Sequence, residues 1–236
     1  EIQIAAKKDQ TIYYTFEKAN LLNLNYLKEK DIKILEYTAT PDGTIYDLME
    51  WKESSAKILA NPGKGYKSCY NLLEQGRVKQ CKDLCGFNKI NNTINNDVLL
   101  NIEEIKNDIE SYKYPLYHII RTKNGEEQDI TISNFKKIFD SDNFNYIKYD
   151  GDNNVGDINN ILTNKPEEHT FTFIKGKVKC AKTIKKENIG ILYERYSLNP
   201  DDSAIIQGLI GRDTGYDNNN FSIIYTNIDK IGRAHV

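Results

Sequence analysis

No apolar run in the 236 residues approaches the ~20 needed to cross a bilayer, so the chain does not read as a membrane-spanning protein. The opening residues, EIQIAAKK, lack the charged-then-apolar plan of a secretory signal. Cysteine is scarce: four residues, at 69, 81, 85 and 180, are too scattered for a disulfide framework and read as reduced thiols of an intracellular protein. Cys81 and Cys85 have no second ligand pair at zinc spacing. Net charge is also lacking. With 32 basic against 34 acidic residues the balance is −2, which excludes a global polyanion-binding footprint and confines any nucleic-acid contact to a local patch. There is no internal repeat and no Gly-x-x-x-x-Gly-Lys-Ser/Thr phosphate loop, and the Gly-rich stretch at 61–66 reads as a turn.

What remains is a globular composition, 39% hydrophobic and 28% charged, long enough for one large domain or two small ones. Apolar spacing predicts helices over 11–27, 45–51, 97–112, 133–139 (with Ser133 as N-cap), 157–162 and 202–210. Strand-like runs lie at 32–37, 56–60, 115–121, 144–149, 170–174, 189–193 and 221–226. Residues 63–66 read as a linker, 77–84 as the opening of a second lobe and 88–96 as an Asn-rich surface loop. Strands alternating with helices imply an α/β fold with a mainly parallel sheet. Ligands bind such sheets at the carboxyl ends of strands, which directs attention to the loops after Tyr37, Arg121, Ile174 and Tyr193. His118, in an apolar run, reads as a packed histidine rather than a catalytic base.

Four local patterns carry chemistry. Glu1-Ile2-Gln3 opens the chain. Thr38-Ala39-Thr40-Pro41 ends a strand. Lys175, Lys177 and Lys179 alternate along one run, followed by Lys182, Thr183, Lys185 and Lys186. Gln207 precedes Gly211-Arg212 just before the last strand. Lysines that track phosphates bind without reading sequence. An arginine offers phosphate a planar, permanently charged fork. In this order, with the wider strings YTATPDGTIYDLMEW, PLYHIIRT, FTFIKGKVKCAKT and ILYERYSLNPDDSAIIQGLIGRDTGY, the chain resembles superfamily 2 DEAD/DEAH-like helicases of the large DNA virus and phage type, from motif II to motif VI.

The resemblance implies RecA-like lobes. Residues 1–65 would be the end of a first, ATP-binding lobe, and 66–230 a second lobe. Glu1 would orient the water attacking ATP, and the Mg²⁺-binding Asp would precede it. Thr38, Ala39 and Thr40 would couple hydrolysis to lobe movement. Lys175, Lys177, Lys179, Lys182 and Thr183 would face the nucleic-acid backbone, and Gln207 and Arg212 would reach the nucleotide. The family's second arginine would fall at 215, where this chain has Gly215, leaving Arg212 alone or assisted by Arg121 or Arg195. ATP, Mg²⁺ and nucleic acid, DNA before RNA, are the implied cofactors and partners, inside the cell. Residues 231–236, IGRAHV, resemble a translated sequencing adapter and are expected to be foreign to the fold. The stretch 1–230 is expected to lack ATPase activity without the upstream half-site. The alternatives are a RecA-like nucleic-acid-binding module without catalysis and a double-strand translocase.

Overall fold

A computed structural model describes residues 11–35, 54, 56, 58, 61–88, 93–95, 97–123, 125–139, 142–153, 156–178, 182–198 and 208–231. The chain divides into two units, Glu1–Gly63 and Lys64–Val236. In the first, the run expected as one helix over 11–27 is two, α1 (Thr11–Lys18) and α2 (Leu24–Glu29). Asn20, at φ 60°, takes the left-handed conformation that stops α1. Asn23 then caps α2, its Oδ1 accepting from the Tyr26 N–H at 3.2 Å. Residues 32–35 form no strand. The expected helix at 45–51, most of the strand at 56–60, Glu1 and Thr38–Ala39–Thr40 lie outside the described residues.

The second unit is built on a six-stranded sheet ordered β1-β8-β7-β4-β6-β5. Its strands are β1 (Val78–Gln80), β4 (Tyr117–Arg121), β5 (Phe144–Tyr149), β6 (His169–Ile174), β7 (Ile189–Tyr193) and β8 (Ile223–Thr226). Every neighbouring pair is parallel. The fold is therefore α/β, consistent with a RecA-like sheet. A separate hairpin pairs β2 (Phe87–Asn88) with β3 (Thr93–Ile94), inside the stretch expected as a loop. No helix among the described residues is long and apolar enough to cross a membrane.

The central strands are near-continuous apolar runs because both faces are covered. On one face α3 (Cys69–Glu74), α6 (Ile158–Leu162), α7 (Leu209–Asp213) and α8 (Ile228–Ile231) place Leu72, Ile158, Leu209 and Ile231 against Tyr117, Ile119 and Leu192. On the other, α4 (Asp97–Ile109) and α5 (Glu126–Ile138) place Ile102, Ile105 and Phe135 against Ile120, Phe171 and Phe173. Ile231, first of the residues read as foreign, is fully buried.

β7 would lose this two-face register without Gly190. Tyr117 lies opposite Ile189, but His118 lies opposite Ile191, so Gly190 is an extra residue that restores the alternation. A Cβ at Gly190 would sit 2.8 Å from His118 Cε1, so glycine makes the room that the histidine occupies.

His118 is fully buried, with Nε2 2.9 Å from His169 Nδ1. His169 Nδ1 also accepts the Leu116 N–H at 3.3 Å, so it carries the lone pair. The network thus assigns the donated proton to His118 Nε2 and keeps the His169 proton on its own Nε2. Burial, reinforced by repulsion from His169 whenever that ring is protonated, pushes the His118 pKa well below its ordinary 6.5. The unfolded chain therefore takes up a proton that the folded chain refuses. Stability is full above pH 6.5 and declines as pH falls below it, by about 1.4 kcal/mol per pH unit until the folded pKa is reached. Urea unfolding at pH 7.5 and 5.5 checks this, and a His118→Gln variant losing as much stability as the parent over that interval would refute it.

Candidate nucleotide and nucleic-acid interface

β4 and β7 are neighbours whose onward connections leave to opposite faces, through α5 and α7 respectively. Such a divergence opens a crevice at the carboxyl ends of the strands. Arg121, Thr122 and Lys123 line one side, and Glu194, Arg195 and Tyr196 the other. The enclosed space is about 20 Å³, room for a single water.

Glu194 organises this crevice. Its Oε1 lies 2.9 Å from Arg121 Nε, an ion pair at a separation where Nε–H is not aligned for a hydrogen bond. The same oxygen accepts the Arg195 N–H at 2.9 Å, and Oε2 accepts the Leu209 N–H at 3.0 Å at the start of α7. Arg121 also donates through Nη2 to the Val178 carbonyl at 3.1 Å. Of the two further arginines expected as candidates, Arg121 is thus engaged within the fold, and Arg195 is exposed at the mouth. The Thr122 N–H and hydroxyl both donate to the Ile174 carbonyl, at 3.0 and 3.2 Å, tying the ends of β4 and β6 together.

The lysine run is divided. Lys175, just past β6, lies 3.1 Å from Asp152 and 3.7 Å from Asp150 at the neighbouring end of β5. The Asp152 hydrogen bond raises the Lys175 pKa, so the ammonium stays charged. Lys177 is exposed, its Nζ 6.0 Å from the Tyr149 ring centroid, while Lys179 lies outside the described residues. Lys182 pairs with Asp157, the N-cap of α6, and that hydrogen bond holds the Asp157 carboxyl below its ordinary range. Thr183 is exposed, and its carbonyl accepts from Asn159 Nδ2 at 3.1 Å. Lys186 is buried and donates to the Thr214 carbonyl at 2.6 Å and to Asp217.

The Gly-Arg element is helical rather than a turn. Arg212 sits in α7, only 8% exposed, with Nη1 donating to the Gly208 carbonyl at 2.6 Å. Gln207 lies outside the described residues. Gly215 takes φ +126°, and a Cβ there would approach Asp217 Oδ1 to 3.0 Å and Lys186 Nζ to 3.1 Å. An arginine at 215 would strain this backbone, a physical reason for its absence.

Sequence reasoning did not single out Asp213, the next residue. It is fully buried, and its Oδ2 accepts from Arg77 Nη2 and from Asn218 Nδ2, both at 2.9 Å. Oδ1 accepts from the Ser222 hydroxyl at 2.9 Å. Arg77 completes the cluster by donating to the Ser222 carbonyl at 2.8 Å and to Asn218 Oδ1 at 2.7 Å. Burial lowers the Arg77 pKa, while the Asp213 charge works to keep the guanidinium ionised. A buried arginine beside a fully buried acid is the only signal available, and it needs the fold to be seen. Among the described residues no group of three or more His, Cys, Asp or Glu could hold a metal ion. No protein-family model, curated protein or solved structure matches the chain.

Proposed function

We propose that the parallel-sheet unit is one lobe of a nucleic-acid-dependent ATPase of the superfamily 2 helicase type, acting on DNA with ATP and Mg²⁺. The observation that supports this reading is the all-parallel sheet and the two connections it carries. The lysine-bearing connection leaves the carboxyl end of β6, and the Gly-Arg helix α7 joins β7 to β8. In this role Lys175 and Lys177 contact backbone phosphates, Lys182 and Thr183 extend the track, and Arg212 answers the nucleotide after turning away from the Gly208 carbonyl.

Salt dependence tests the nucleic-acid half. The chain should bind a labelled single strand, with the logarithm of the binding constant falling linearly against the logarithm of salt. Replacing both Lys175 and Lys177 by alanine should flatten that slope by ~1.4, about 0.7 for each phosphate no longer neutralised. An unchanged slope removes these lysines from the interface, and absence of binding at low salt removes the reading.

One observation favours a second reading, a RecA-like binding module without hydrolysis: Arg212 is buried and hydrogen-bonded to its own helix. The two part at Arg212→Ala. A nucleotide-sensing arginine is worth ~10³–10⁵ in turnover, lost in the two-lobed protein without a change in unfolding midpoint. A structural arginine lowers the midpoint in a protein with no turnover to lose.

A further inference from the structure

Tyr216 stands 64% exposed and belongs to neither core cluster. Its ring meets Tyr66 edge to face, with centroids 5.3 Å apart and planes at 75°. The two tyrosines come from distant segments, one leading into α3 and one following α7. A pair of backbone hydrogen bonds rivets those segments together: Lys67 N–H to the Gly215 carbonyl at 3.0 Å, and Gly215 N–H to the Lys67 carbonyl at 2.9 Å. Buried Lys186 ties the same turn from below through the Thr214 carbonyl and Asp217. An aromatic ring is thus held stiffly and left open to solvent, where stiffness adds nothing to the core.

Charge defines what suits it. Exposed Lys64 and half-buried Lys67 adjoin the pair in the chain, and the carboxylate of Asp217, next to Tyr216 in the sequence, is offset by Lys186. A flat apolar face beside ammonium groups fits a planar base that carries phosphate. A free-nucleotide site is concave and encloses most of its ligand. Tyr216 instead presents an open surface, which suits a base in a passing strand.

Resting on the reading that this unit binds nucleic acid, we infer that Tyr66 and Tyr216 form a base-stacking platform for a single strand, separate from the lysine track after β6. Stacking on an aromatic side chain contributes about tenfold in affinity per base and tolerates any sequence.

The test uses fluorescence anisotropy with labelled oligothymidylate, an abasic strand of equal length, and AMP as competitor. The parent chain should prefer the base-bearing strand by about tenfold. Tyr216→Ala should erase that preference while leaving the unfolding midpoint and the salt slope in place, and Tyr216→Phe should keep the preference. Equal binding of oligothymidylate by the parent and Tyr216→Ala overturns the platform and leaves the lysine track standing. Competition by AMP at the strand's own affinity per base assigns the platform to a free nucleotide and overturns the strand assignment. No binding of either strand by the parent overturns the platform and the parent reading together.

Discussion

Replacing Asp213 by alanine should destabilise the Lys64–Val236 unit by about 3–5 kcal/mol. The side chains of Arg77 and Asp213 are 8% and 0% exposed. Removing the carboxylate strands a guanidinium in a site with little water to solvate it, and also takes an acceptor from Asn218 and from the Ser222 hydroxyl. The contrast is the pair Lys30–Glu29, more than half exposed at each end and worth about 0–1 kcal/mol. The cost of D213A belongs to the orphaned partner rather than to the pair itself. A double replacement of Arg77 and Asp213 by apolar residues of similar volume should therefore recover much of the loss. Urea unfolding of the single and double variants decides the matter, and a single variant within 1 kcal/mol of the parent would show that water reaches Arg77 after all.

Phe171→Ala should cost a similar ~3–5 kcal/mol for a different reason. Phe171 is fully buried in β6, with the rings of Phe139, Phe135 and Phe144 at 4.7, 5.0 and 5.7 Å between centroids. These neighbours come from α5 and the region around it and from β5, so truncation opens a cavity bounded by separate elements that cannot all move inward. Denaturant midpoints should fall with the slope unchanged, since the surface exposed on unfolding is the same. A loss under 1.5 kcal/mol would mean that α5 collapses onto the gap.

The sheet is largely legible in the sequence, because buried parallel strands are short runs of branched and aromatic residues. FNYIKY and IGILY fall where the pattern puts them, at Phe144–Tyr149 and Ile189–Tyr193. Helix starts are harder to read. α5 begins at Glu126, not at Ser133, and Ser133 lies inside it. The overlooked signal is acidic: Glu126, Glu127 and Asp129 crowd the first turn, where the helix dipole favours negative charge. Asn20 marks the break between α1 and α2, but the apolar spacing runs through it.

The candidate site is legible only in part. Periodicity reaches a few residues along the chain, whereas the Arg77–Asp213 contact spans 136. A lysine run likewise looks uniform in sequence, yet the fold buries Lys186, pairs Lys182 with Asp157 and leaves Lys177 exposed. What separates these lysines is the partner each one meets, a carboxylate for Lys182 and Lys186 and a tyrosine ring for Lys177, and that is set by the fold.

The strand order also leaves the sheet with two unequal margins. β1 offers three residues and β5 six. An outermost strand is a template for another chain, and FNYIKY has no proline and a single charge to spoil the match. That charge, Lys148, is drawn to Asp129 Oδ1 at 2.5 Å, which lessens its power to repel a newcomer. Among the described residues β5 is thus the longer open margin, and Lys148 is the one charge along it that discourages pairing with a second chain.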